Sequence, residues 1–290
     1  MPLKMRKLSH ALGAEILDLK IGPDLSSEVI KQIHTAFLDH QVLLFRNQNL
    51  THEEHIAFSR HFGALDRHDA VTEYRLPDYP EIVQVTNEGK PASKVFGRQW
   101  HSDHSMTLTP SNASLLRACE LPEVGGDTLF SNMYTAYETL SYGMKRLLEP
   151  LKAVHTVLQA RHLQGLSAEV LAEKTRRSPP VLHPVVRIHP ETGRPALYVS
   201  EMLTSHFEDM TYPESRPLLE YLFDHSTKPE LVYRHRWQKN DLLVWDNRCT
   251  MHMALADYDH SQIRRMFRTT IIGPKVGWLE KTASDERLAS

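Results

Sequence analysis

Residues 241–272 read DLLVWDNRCTMHMALADYDHSQIRRMFRTTII, and the two ends of that stretch decide the fold. The runs 241–245 and 266–272 are short, apolar and rich in Val, Leu, Ile, Phe and Thr, and turn-forming residues bound them. Runs of that length fit strands, being too short for the ten or so residues of a globular helix. Working outward, similar runs at 12–21, 42–45, 81–85, 114–118, 128–131, 182–188, 196–199 and 231–237 predict further strands. Helical periodicity is confined to a few pieces. One passes through Val29, Ile33 and Phe37, one opens at a Thr51/Glu54 capping box and stops at Gly63, and others cover 133–140, 144–151 and 213–223. Many short strands with scattered helices predict a mainly β fold with flanking helices, built on a sandwich or barrel core.

The 290-residue chain, 41% hydrophobic, is long enough for one domain over 1–290. Its segment 66–97 is polar and broken by Pro77, Pro80 and Pro91, and 160–178 has ambiguous patterning; both are expected to be active-site lids. A net charge of -2 provides no basic excess for a run of phosphates, so no nucleic-acid partner is expected. No apolar run approaches the roughly eighteen residues of a membrane span, and the N-terminus lacks the continuous apolar stretch of a signal peptide. Cys119 and Cys249 lie far apart without C-x-x-C spacing. That usage fits a reducing, cytoplasmic setting. A homo-oligomer is expected.

Eighteen histidines make any single one uninformative, so spacing has to select among them. In Trp100-His101-Ser102-Asp103 an extended chain would place His101 and Asp103 on one face. His252 follows the run at 241–245 and completes a set of two imidazoles and one carboxylate. Such a set binds Fe(II) on one face and leaves positions open for cosubstrate and O2. Of the other H-x-[D/E] matches, His52 and Glu54 fall in the capping box and His189 and Glu191 in a turn, and both pairs read as structural. In the run from Arg264 to Arg268, period-two alternation puts Arg264, Met266 and Arg268 on one face. Two inward guanidinium groups call for anions, either bound ligands or carboxylates of the protein itself. A zinc-type metallohydrolase would use H-E-x-x-H on a helix, and that string is absent. A non-catalytic metal-binding module on the same β scaffold is the other alternative, distinguished by the absence of any turnover.

These motifs, with Gly125-Gly126-Asp127-Thr128, the run from Leu182 to Arg187 and Trp245-Asp246-Asn247-Arg248, resemble the taurine dioxygenase group of Fe(II)/2-oxoglutarate oxygenases from about residue 12 to 273. The resemblance implies a double-stranded β-helix (a cupin-like jelly roll) with His101, Asp103 and His252 as iron ligands. It implies that Arg264, helped by Thr128, binds the distal carboxylate of 2-oxoglutarate. It also implies that Arg268 and His68 bind the anionic group of a small-molecule substrate; His104 is a second candidate for that pocket. Val71, Gly97 and Leu203 replace a tyrosine, an asparagine and an aromatic of the taurine-specific pattern. That points to a larger or more apolar substrate, such as an alkyl sulfate or an aryloxyalkanoate. Trp100, Trp245 and Phe267 read as core packing, residues 246–248 as a turn, and His155, His183, His206, His235 and His260 receive no role.

Overall fold

The computed structural model describes residues 2–69, 72–89, 97–159 and 165–280. In chain order the strands are β1 (Met5–Lys7), β2 (Ala14–Ile16), β3 (Val42–Phe45), β4 (Val83–Thr86), β5 (Ala113–Glu120), β6 (Thr128–Asn132), β7 (Lys152–His155) and β8 (Val181–Pro184). They continue with β9 (Val186–Ile188), β10 (Pro195–Leu197), β11 (Thr204–Phe207), β12 (Val232–His235), β13 (Leu242–Asp246), β14 (Thr250–Ala254), β15 (Arg265–Ile271) and β16 (Trp278–Leu279). Among the described residues six α-helices accompany them: α1 (Ser27–His40), α2 (His52–Ser59), α3 (Met133–Glu138), α4 (Tyr142–Leu148), α5 (Ala168–Arg177) and α6 (Tyr212–Ser226).

A seven-stranded sheet runs β1-β2-β3-β13-β5-β15-β4, and smaller sheets run β12-β6-β14 and β11-β7-β8-β16. Alternation along β13 shows how the layers form. Leu242 and Val244 pack on one face of the large sheet with Phe37 of α1 and Phe58 of α2. Leu243 and Trp245 face the other way, onto Phe130 of β6 and Tyr233 of β12. A strand buried on both faces reads as a continuous apolar run, which is why Leu242–Asp246 shows no polar alternation. The two facing sheets form the expected jelly roll.

The capping box at Thr51 and Glu54 is present, and Gln41, at φ +62°, ends α1. The run at 182–188 divides into β8 and β9, and that at 12–21 shortens to β2. Strands β7, β11 and β14 were not anticipated, because their sequences Lys-Ala-Val-His, Thr-Ser-His-Phe and Thr-Met-His-Met-Ala carry no strong strand pattern. In β15 the expected alternation holds. Its register against β5 slips where Arg265 pairs with Glu120 and Met266 with Ala118, so the unmatched residue, Cys119, lies on β5.

The turn after β13 is tied down by a buried ion network. Asp246 accepts from Arg248 Nε at 2.8 Å and Nη2 at 2.6 Å, and lies 3.0 Å from His189 Nε2. Burial opposes ionisation of Asp246, but Arg248 and His189 outweigh it and hold the carboxyl at about 2. Asp246→Asn would remove the buried carboxylate that faces Arg248 and His189 and leave Glu191, 2.5 Å from Arg248 Nη1, as the arginine's remaining anionic partner; breaking a buried pair costs up to about 3–5 kcal/mol. The depressed pKa means that the stabilisation is complete above the unfolded-state value of 3.8 and is lost as pH falls toward about 2. Urea midpoints across that window are expected to fall in the native protein and to lack this component of the acid dependence in Asp246→Asn.

Candidate active site

His252 sits on β14 opposite Phe130 of β6, with its ring 4.8 Å from that of Trp245. His101 reaches it through an isolated antiparallel bridge: His101 N donates to the His252 carbonyl at 3.1 Å and His252 N returns a bond at 2.8 Å. The extended strand expected over 101–103 is therefore reduced to one bridging residue, and Asp103 opens a turn. The convergence survives because β14 carries its histidine to that turn. Asp103 Oδ1 lies 3.9 Å from His101 Nε2, and its Oδ2 lies 3.9 Å from His252 Nε2. The donor atoms of the three buried side chains all lie within 4.8 Å of one another.

Neighbouring groups fix the ligating atoms. His101 Nδ1 is 2.8 Å from the Gln99 carbonyl, which places the proton on Nδ1 and the lone pair on Nε2. Ser114 donates to Asp103 Oδ2 at 2.7 Å, and its own oxygen accepts from Asn247 Nδ2 at 3.0 Å. Asn247 Oδ1 in turn accepts from Asp103 N and from Trp245 Nε1. The 246–248 turn thus does more than close on itself, since Asn247 orients a candidate metal ligand. Burial lowers both imidazoles and the Arg268 charge adds to it; the neighbouring His101 lowers His252 further, to about 3. Burial pushes Asp103 the opposite way, yet Arg268, His252 and His101 hold its carboxyl well below the usual range. Two neutral imidazoles and a carboxylate are the protonation states that a divalent metal requires, and the set suits ferrous iron.

The cosubstrate candidates lie together beside this cluster. Arg264 is buried, donates from Nε to the Gly126 carbonyl at 3.0 Å and has no ion pair among the described residues. Burial lowers its pKa to about 10, so it stays charged at neutral pH. Gly126 adopts φ +70°, and a Cβ there would lie 3.1 Å from Arg264 Cδ; only glycine lets the arginine pass this closely. Thr128 Oγ1 accepts from Trp237 Nε1 at 3.0 Å, leaving its hydroxyl proton available to a ligand. Trp237 was not singled out from the sequence, where nothing marks it.

At the third corner, Arg268 Nη1 bonds Asp103 Oδ1 at 2.9 Å, so one of the two inward arginines meets a protein carboxylate. His68 is 2% exposed and neither of its ring nitrogens makes a hydrogen bond. Burial, with Arg268, lowers it to about 4 and makes it a neutral donor. His104 and His68 both approach Asp66 Oδ2, at 3.6 and 3.7 Å from their Nδ1 atoms. Asp66 Oδ1 also accepts from His68 N at 2.8 Å, which helps to hold His68 at φ +53°. Sequence reasoning missed Asp66, whose only signal is its position two residues before His68. Gly97 stands where an added Cβ would lie 3.4 Å from His101 Cε1. Leu203 is buried, and Val71 falls outside the described residues.

The chain matches the family described as "Taurine catabolism dioxygenase TauD, TfdA family" over residues 4–270. It is 35% identical over 279 residues to the alpha-ketoglutarate-dependent 2,4-dichlorophenoxyacetate dioxygenase of Cupriavidus pinatubonensis, covering 92% of this chain and 96% of that one. It is 33% identical over 275 residues to the alkylsulfatase of Acinetobacter baylyi, covering 91% and 84%. Among solved structures, that of AAD-2 in complex with Mn(II) and N-oxalylglycine superposes with a TM-score of 0.82 at 31% identity, covering 95% of this chain and 99% of the other.

Proposed function

This chain belongs to the taurine catabolism dioxygenase TauD, TfdA family and is an Fe(II)- and 2-oxoglutarate-dependent dioxygenase, and from that premise we propose how its residues divide the work and which substrate it takes. The observation that carries the assignment is the convergence of His101, Asp103 and His252 beside two arginines spaced four apart, Arg264 just before β15 and Arg268 within it. His101, Asp103 and His252 would hold the metal. When bound, iron with 2-oxoglutarate and O2 supplies the oxidising power, and the net reaction turns R–H, O2 and 2-oxoglutarate into R–OH, succinate and CO2. Arg264 binds the distal carboxylate of 2-oxoglutarate through its planar fork, and the Thr128 hydroxyl donates to the same group. Arg268, His68 and His104 bind the acidic end of the substrate and so fix which carbon faces the metal. Phe130 and Trp245 pack beside His252 and keep that side of the site dry.

The substrate is a small organic anion of the sulfonate, alkyl sulfate or aryloxyalkanoate type. Gly97 and Leu203 favour an apolar body over a short polar amine. The chain is read as one domain, with segments 66–97 and 160–178 as lids; residues 70–71, 90–96 and 160–164 of these lie outside the described set. A homo-oligomer in a reducing cytoplasm completes the reading, and the free thiols of Cys119 and Cys249 support the setting. Screening sulfonates, alkyl sulfates and both enantiomers of aryloxypropanoates for coupled succinate release tests the class. With the best substrate, Arg268→Ala is expected to raise its KM by more than about tenfold and to leave that of 2-oxoglutarate within about twofold. Equal turnover of a neutral analogue lacking the acid would rule out the anion subsite.

A further inference from the structure

One further buried guanidinium, that of Arg187, lies outside the machinery described so far. Arg187, from β9, is 6% exposed, its Nη1 has no hydrogen-bond partner, and no carboxylate pairs with it among the described residues. Its guanidinium lies 4.9 Å from the centroid of the Tyr198 ring. Tyr198 is 3% exposed, and its hydroxyl makes no hydrogen bond of ordinary geometry, although Arg187 approaches it. The His155 ring stacks on that of Tyr198 at 5.5 Å, and His183 stands edge-on to both at 5.1 and 5.5 Å. His155 Nε2 and Ser200 Oγ are also buried without partners.

The protonation states in this cluster leave an excess of donors and a net positive charge. Burial raises the Tyr198 hydroxyl above its ordinary value, so it stays protonated and can donate. Burial keeps His155 and His183 neutral, the latter at about 4, and the Arg187 charge adds to the effect. Arg187 cannot shed its proton in the accessible pH range. Contact with a ring face compensates a buried guanidinium only in part, and an uncompensated charge in the interior is heavily penalised. Water would satisfy the donors but leave the charge unbalanced.

We infer that Arg187 and Tyr198, walled by His155 and His183, form a buried site for one monoanionic group. Two sources offer that chemistry: a small inorganic anion such as chloride, or a second acidic group carried by the organic substrate. The cluster adjoins the reaction centre, because Ser105, two residues after Asp103, lies 3.1 Å from His155 Nδ1. Thr156 N also donates to the carbonyl of Leu203 at 2.8 Å, which joins the strand of His155 to a candidate substrate wall.

The test compares full-length protein with Arg187→Met and Tyr198→Phe. Thermal melts of metal-free protein at constant ionic strength, in gluconate against chloride or bromide, read the inorganic arm without any turnover. A saturable rise in Tm of a few degrees with halide is expected for the native chain. That rise should be reduced in Tyr198→Phe and absent in Arg187→Met, which should itself match or exceed the native Tm in gluconate. Anomalous diffraction from bromide-soaked crystals should place an ion at Arg187. The organic arm reads KM for substrates with and without a second acid. A rise of about tenfold or more in Arg187→Met, confined to the diacid, would assign the site to the substrate. No halide response, water alone at Arg187 and unchanged diacid KM would together overturn the inference. The melts stand whether or not the substrate class above is right.

Discussion

Asp103→Ala is expected to abolish stoichiometric ferrous iron binding and to reduce succinate formation to background. Asp103 supplies the only carboxylate of the candidate triad, and its two oxygens lie 3.9 Å from the two imidazole nitrogens. Removing it takes away one of three anchors and the one negative charge that offsets a divalent cation. The substitution also releases Arg268, which bonds Asp103 Oδ1 at 2.9 Å, into the space the metal would use. An unpaired cation there disfavours a second one, so the loss should exceed that from deleting a neutral ligand. Even changes to groups that only orient a metal ligand cost about 10–100-fold in affinity or activity, and loss of a direct ligand should cost more. Anaerobic calorimetric titration with Fe(II) or Mn(II) checks this, alongside far-UV circular dichroism to show that the chain stays folded. Asp103→Asn makes a second comparison, since it keeps the side-chain shape but not the charge. Normal metal stoichiometry in both variants would disprove the assignment.

Arg264→Met should act on the cosubstrate in the same decisive way without touching the metal. Arg264 is buried, spends its Nε on the Gly126 carbonyl and meets no carboxylate among the described residues. Loss of one member of a buried charge-assisted pair costs about 2–5 kcal/mol, which is on the order of 30-fold or more in affinity. The Kd of 2-oxoglutarate for metal-loaded protein should rise by at least that factor, and metal binding should stay unchanged. A 2-oxo monoacid never makes the contact, so its binding should change little and the preference for the diacid should collapse. Without ligand the variant should be no less stable than the native chain, because a buried unpaired charge has been exchanged for an apolar side chain. An unchanged preference for the diacid would show that another group reads the distal carboxylate.

Sequence alone fixed the features that depend on local chemistry and local period. The triad residues stand out by type and spacing, and β13 and β15 are legible because apolar runs and period-two alternation are properties of adjacent residues. The alternation at Arg264, Met266 and Arg268 survives because the β-bulge falls on β5 rather than on β15. Other features depended on register between segments far apart in the chain. The bond from Asn247 to Ser114 spans 133 positions and depends on β5 pairing with β13 in the register that sets Ser114 opposite Trp245; through it Asn247 and Ser114 together hold Asp103. Strand β14 carries His252 without a strand-like pattern of its own, and takes its conformation from pairing with β6. Asp66 joins His68 to His104, and Arg187 meets Tyr198 and His155, through folding that no short window can foreshadow. Residue type declares which groups can bind a metal or an anion, whereas partner, burial and residual charge are set only when the sheets close around them.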